Sequence, residues 1–413
     1  MIDNMNPFAG IDNHVVLEKG GNPWLASATY EEEDEYRFKG RKTDTDNILS
    51  MLQQNECVVC YAASGDGKSS LINAGLCPSM RRKGLFPIKI TFSTEEYEGK
   101  GLPYISEDSN SIDFDKLIQN KIDQYINCYK RKFIDNHNIN GNFEILFEKI
   151  SKYENVNITN SLWWKFRTET IQMSFGEFDY LPVIIFDQFE EIFRSTWKTD
   201  FFRWLETLMK ETCPHDIVAK KYVNDDDLPK KKLFRILFSM RYEYIGELDY
   251  WCSQIFYIPQ LMRNRYYLRA LNHFQAKQVI VEQSIGDEHA LSIIRNKADD
   301  ILSILANESK GRGINSLNEI SAILLSILCF TYYNNIVTGN KMDLPSARDL
   351  VKTYYNNICD LIFVDSIKQS LPKIERALVS PDGTRERIRR KKVPDIDVVL
   401  YQNEGVEHTI GDL

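Results

Sequence analysis

Residues 61–73 read YAASGDGKSSLIN, and the fold turns on whether this stretch is a strand-to-helix loop shaped for phosphate. Upstream, ECVVCYA at 56–62 is a short apolar run of strand length. Downstream, KSSLINAGL at 68–76 opens a helix directly behind the loop. Backbone N–H groups from Ser64 to Lys68 can then converge on phosphate oxygens, and the helix start at Ser69 adds its partial positive charge.

The full phosphate-loop pattern GxxxxGK[ST] would place its first glycine at position 62, where this chain has Ala62. Gly65, Gly67, Lys68 and Ser69 remain, between a strand and a helix as the motif requires. Alanine at 62 is compatible only with negative φ, because a Cβ penalises the left-handed region. The spacing makes Ser64, Gly65, Asp66, Gly67, Lys68, Ser69 and Ser70 the candidate nucleotide-binding residues. Lys68 would reach the β- and γ-phosphates, and the Ser69 hydroxyl would join a Mg²⁺ shell.

Such a loop needs an acid on a neighbouring buried strand. LPVIIFDQFEEIF at 181–193 supplies Asp187 at a strand's C-terminal end, as the second magnesium group beside Ser69. Glu190 and Glu191 follow within one turn, so either could face the γ-phosphate and polarise a water, or lie on a solvated helix face. KKLFRILFSMRYEYIGEL at 231–248 is a further strand ending in Arg241, beside local acids such as Glu243 and Glu247 that could pair with it. With LFPIKITF at 85–92, the order of strands and helices suits a parallel sheet covered on both faces.

Outward from this core, residues 1–35 are Gly-, Asn- and acid-rich without a sustained period and read as an N-terminal arm. Residues 36–270 form the predicted α/β phosphate-loop domain, with a mainly helical insertion at about 112–178. Helical periods dominate 271–365, a predicted lid, and 366–413 reads as a small winged-helix-like unit around the turn signal PDG.

At 413 residues, 43% hydrophobic and 27% charged, the chain has globular composition. A net charge of −8 disfavours bulk nucleic-acid binding. A local basic run, Arg385, Arg387, Arg389, Arg390, Lys391 and Lys392, could still touch phosphate backbones, and a solvated hairpin is the favoured reading for it. Eight scattered cysteines read as reduced core residues, Cys57 and Cys60 on a buried strand among them. Trp163 and Trp164 read as helix packing. The six histidines lack metal-ligand spacing, so no zinc site is expected. No signal sequence or membrane span is read, and a cytoplasmic location is expected.

YRFKGR, YAASGDGKSSLINAGLCPSM, PVIIFDQFEEIF, FSMRYEYIGELD and YIPQLMRNRYYLRAL occur in the order and approximate spacing of the STAND class of P-loop NTPases. DQFEE after the acidic strand, together with GKSSL and AGL, resembles the class's novel STAND branch. The resemblance implies a three-layer P-loop NTPase fold that binds ATP or ADP with Mg²⁺. It implies a place beside the base for Gly40 and Arg41, and a γ-phosphate sensor role for Arg241. Members commonly carry an effector domain before the NTPase and a repeat-rich sensor after it, and neither is read in this chain. Immune-type relatives, including bacterial antiphage proteins, use nucleotide exchange to pass from closed monomer to open oligomer. The resemblance therefore implies a slow, switch-like ATPase that self-associates in its ATP state and answers a protein partner or trigger. Two alternatives stay open: an AAA-like ATPase with a DNA-binding winged domain, and a nucleotide-dependent scaffold that does not hydrolyse.

Overall fold

The apolar runs form the strands that the sequence predicts, and a computed structural model shows how they assemble. It describes residues 21–92, 112–137, 144–150, 161–173, 176–214, 231–310 and 319–339, with Lys152, Pro229, Lys352, Tyr354 and Asn356. The strands are β1 (Cys57–Ala62), β2 (Leu85–Ile90), β3 (Ile145–Lys149), β4 (Glu169–Met173), β5 (Gly176–Phe186), β6 (Arg235–Arg241) and β7 (Arg265–Tyr267). They make one sheet in the order β3-β4-β5-β6-β1-β7, with β2 paired to the C-terminal half of β5. Strands β2, β5, β6, β1 and β7 are mutually parallel. Their near-continuous burial is what a parallel sheet covered on both faces demands.

Alternation along the strands divides the core in two. On one face Val58, Cys60, Ala62, Val183, Ile185 and Leu237 meet helix α1 (Lys42–Gln54) and helix α2. Helix α2 runs on through Lys68–Ser70, a π-helical Leu71–Leu76 and Cys77–Arg82. On the other face Val59, Ile184, Phe186, Phe238 and Met240 meet α3 (Phe114–His137), α4 (Leu162–Thr168) and α5 (Lys198–Met209). The result is the three-layer α/β sandwich that the sequence implies. Trp163 and Trp164 are buried in this second layer, and Cys57 and Cys60 are buried free thiols.

Two expectations need correction. The segment 112–178 is not simply helical: besides α3 and α4 it carries β3 and β4, which extend the sheet antiparallel from β5. These are five-residue strands, and β3 is only half buried, so their apolar signal is weak.

Residues 21–35 are also not an arm outside the fold. Trp24 is fully buried, and its indole N–H donates to the Val279 carbonyl at 3.2 Å. The Asn22 amide donates to the Phe330 carbonyl at 2.9 Å and to Asn334 Oδ1 at 3.0 Å. Further on, the Tyr30 N–H donates to Ser70 Oγ at 3.2 Å, the Asn73 amide donates to Glu31, and Glu32 pairs with Arg81. The segment is thus a strap from the C-terminal helices to α2. A few single anchors hold it to distant elements, so it has no sequence period.

After α6 (Ile245–Tyr250) and α7 (Gln260–Arg263), the described residues beyond β7 include α8 (His273–Val281), α9 (Glu288–Asn296), α10 (Ala298–Lys310) and α11 (Ala322–Val337). Asn272 and Gln275 form a capping box on α8, and Asp287 caps α9. The chain divides into two compact units, 1–344 and 345–413. Apart from Lys352, Tyr354 and Asn356 the second lies outside the described residues, as do the expected winged unit and the basic run at Arg385–Lys392. No helix among the described residues is long and apolar enough to cross a membrane.

Candidate functional site

At the C-terminal end of β1 the chain turns over Ala63–Gly67 into α2. Gly65 and Gly67 both sit at φ +86°, the left-handed backbone open to glycine, while Ala62 keeps an ordinary strand conformation. The loop therefore forms without its first glycine, because the sharp turns fall at 65 and 67. A Cβ at Gly67 would meet nothing within 4 Å, so there is open space above that residue. Gly67→Ala is accordingly expected to cost only backbone strain, about 1–2 kcal/mol, read as a lower unfolding midpoint of the ligand-free protein. An unchanged midpoint would mean that the loop relaxes to another backbone.

Lys68 folds back over the loop, its ammonium donating to the carbonyls of Ala62 and Ala63, each at 3.1 Å. Burial lowers its pKa, and Glu190, Cys60, Asp187 and Asp66 push it back up. The loop is braced from behind by Arg41, a residue 4% exposed. Its guanidinium donates to the Asp66 carbonyl at 3.0 Å, the Arg269 carbonyl at 2.8 Å and Asp44 Oδ2 at 3.1 Å. Asp44 in turn accepts from the Tyr266 hydroxyl at 2.6 Å and the Gln275 amide at 3.1 Å. Sequence reasoning named Arg41, as a residue beside the base, and missed its partners Asp44, Tyr266 and Gln275, although the Arg41–Asp44 spacing of i,i+3 on a helix start could have signalled the first.

The acidic strand is not the immediate neighbour of the loop's strand that the sequence suggests: β6 lies between β5 and β1. Phe186 pairs with Phe238 and Ala62 with Arg241, so Asp187, Arg241 and Lys68 gather at the C-terminal ends of three neighbouring strands, with β6 in the middle. Gln188 adopts φ 54°, ψ 41°, a left-handed conformation rare for a residue with a side chain. Its N–H donates to Asp187 Oδ1 at 3.0 Å. Phe189 is buried against Phe238, ring centroids 4.5 Å apart, and this contact anchors the turn.

Phe189–Arg194 is a 3₁₀ helix, in which positions three apart share a face. Glu190 and Phe193 point inward, and Arg194 points out. Glu190 is 5% exposed, and its Oε1 pairs with Arg241 Nε at 3.2 Å while Oε2 accepts the Arg241 N–H at 3.3 Å. Burial raises the Glu190 pKa, partly offset by hydrogen bonding and by the charges of Arg241 and Lys68. Arg241 thus pairs across the site with Glu190, and Glu191 is only half buried.

The remaining expected residues divide. Ser64 is exposed on the loop, Asp66 is buried within it, and Ser69 is half buried at the helix start. Burial raises the Asp66 pKa against the lowering effect of Arg41 and Lys68. The Ser70 hydroxyl accepts from Tyr30 of the strap. Gly40, at φ +80°, lies against α8, where a Cβ would come within 2.5 Å of the Gln275 carbonyl oxygen. A Cβ at Gly65 would lie 3.1 Å from Ile323 at the start of α11, so the helical segment reaches the loop itself.

These residues fit a magnesium nucleotide. Two left-handed glycines, open space above one of them, a lysine over the loop and an aspartate on the same sheet face are the required donor set. Magnesium asks the protein for only one or two side chains, the rest of its shell being phosphate and water.

Comparison with known proteins bears on the same residues. No curated protein matches the chain. A Walker-type ATPase of Pyrococcus abyssi is structurally similar at a TM-score of 0.42 and 13% identity, over 84% of this chain and 79% of that one. The family model Novel STAND NTPase 1 matches residues 23–292, from the buried strap through the phosphate loop and acidic strand to α9. With about two thirds of its length matched and the loop, Asp187 and Arg241 gathered at one end of the sheet, the chain belongs to the Novel STAND NTPase 1 family.

Proposed function

We propose that the protein is an ATP-operated switch whose state is held by the pairing of Arg241 with Glu190. The observation that carries this reading is the two-point grip of Arg241 on the Glu190 carboxylate, 3.2 Å from the side chain and 3.3 Å from the backbone. While paired, Arg241 is withheld from phosphate and Glu190 is withheld from water. A γ-phosphate bears more charge than one carboxylate and competes for the guanidinium, so its arrival releases both groups together. Glu190 then accepts a proton from the attacking water, and loss of the γ-phosphate lets the pair reform.

Lys68 and the loop amides bind and orient the phosphates. Ser69 and Asp187 would hold Mg²⁺, which when bound neutralises charge on the β- and γ-phosphates. Slow turnover follows, because the base is available only after Arg241 has changed partner. Ile323 lies against the loop at Gly65, Tyr30 of the strap bonds Ser70 in the helix behind it, and α8 lies against Gly40, next to the Arg41 that braces the loop, so the loop's state can reach the helical segment. The output is self-association in the triphosphate state. A place in bacterial antiphage defence, with a protein trigger, rests on likeness to immune-type relatives of the class.

Particle mass tests this reading. The wild-type protein should enlarge with a non-hydrolysable ATP analogue and not with ADP. Arg241→Ala should bind both nucleotides without changing mass between them. One mass in every nucleotide state of the wild type would remove the switch and leave a plain NTPase.

A further inference from the structure

Ser239 lies within β6, fully buried, and its hydroxyl has no hydrogen-bond partner among the described residues. A buried hydroxyl left unpaired costs about 1–3 kcal/mol, so its presence in the sheet core asks for a partner that arrives later. Strand register says where that partner would be. Ser239 is opposite Cys60 on β1, and Phe238 is opposite Phe186 on β5, which brings Asp187 level with Ser239 on the other side. Alternation puts Ser239 on the face of Leu237, Cys60 and Ala62, the face of helix α2 and the phosphate loop.

The charges of Lys68 and Asp187 both act on the neighbouring Cys60 thiol, whose pKa burial lifts to about 12. Ser239 itself sits on the strand between the one that leads into the Lys68 loop and the one that ends at Asp187. Asp187 meanwhile spends Oδ1 on the N–H of Gln188, in a turn held left-handed.

We infer that Ser239 is a positioning residue for Asp187: when a magnesium nucleotide loads, the Ser239 hydroxyl donates to the Asp187 carboxylate and fixes it toward the metal. The inference rests on reading Asp187 as a magnesium group. Carboxylates that hold metals are themselves held by outer hydrogen bonds, and losing one typically costs 10–100-fold in metal affinity. One hydroxyl thus has two expected effects of opposite sign, unfavourable in the empty protein and favourable in the loaded one.

The test is a Mg²⁺ titration of non-hydrolysable ATP-analogue binding by calorimetry, on wild type, Ser239→Ala and Asp187→Ala, with ligand-free unfolding curves alongside. Ser239→Ala should raise the Mg²⁺ concentration for half-effect by about ten-fold. It should leave analogue affinity in EDTA unchanged and the ligand-free midpoint unchanged or higher. If Ser239→Ala titrates like wild type while Asp187→Ala loses its Mg²⁺ dependence, the Ser239 assignment is overturned and the site stands. The Ser239 assignment is overturned equally if the variant only unfolds earlier. If neither variant alters the Mg²⁺ dependence, the magnesium reading of Asp187 falls and takes Ser239 with it.

Discussion

Glu190→Gln is expected to slow ATP turnover by roughly two to four orders of magnitude, the usual contribution of a positioned general base, while changing ADP affinity little. Glutamine keeps the shape and can still accept the Arg241 N–H, but it cannot take a proton from water. It also removes a carboxylate that burial disfavours, so the ligand-free protein should melt no earlier than wild type. The charge pair with Arg241 is lost, and the arginine is then free to stay on the γ-phosphate. The variant should therefore persist in the triphosphate state. Because burial lifts the Glu190 pKa, the acid limb of the wild-type pH–rate profile should lie above the 4.5 of an ordinary glutamate. Single-turnover assays of Glu190→Gln and Glu191→Gln side by side check this. A severe loss from Glu191→Gln with a mild one from Glu190→Gln would reverse the assignment.

Lys68→Ala should weaken binding of ATP and ADP by roughly two orders of magnitude or more. Each hydrogen bond from a charged group contributes about 1.5–3 kcal/mol, and the ammonium is placed to reach two phosphates. In the ligand-free protein the same change removes two bonds to the carbonyls of Ala62 and Ala63, and relief of a charge that burial disfavours offsets that loss. The signature is lost binding by calorimetry with an unfolding midpoint close to wild type. Retained binding would mean that nucleotide sits elsewhere on the chain.

The loop, its strand and its helix were legible because their signals are local. Gly65 and Gly67 sit where the backbone turns left-handed, and the apolar runs at 57–62 and 235–240 became central strands. The Asp187 and Arg241 positions were legible for the same reason, as polar residues at the ends of apolar runs. What was not legible depends on non-local pairing. Strand β3 alternates buried and exposed residues over five positions, too few for a period to stand out, and its partner β4 follows α4 without a break. The strap holds by Trp24, Asn22 and Tyr30, each tied to a residue at least 40 positions away. Glu190 and Glu191 could not be separated in sequence because an α-helix and a 3₁₀ helix send them in different directions, and only the observed 3₁₀ turn puts Glu190 inside. The Tyr30 N–H that donates to the Ser70 hydroxyl was equally hidden, since it comes from 40 positions upstream.

The most direct measurement is a structure determined with Mg²⁺ and a non-hydrolysable ATP analogue. The triphosphate should lie over Gly65–Lys68, with Arg241 moved from Glu190 onto the γ-phosphate and the Glu190 carboxylate turned toward water. An analogue bound in this loop with the Arg241–Glu190 pair intact, or bound anywhere else on the molecule, would contradict the switch.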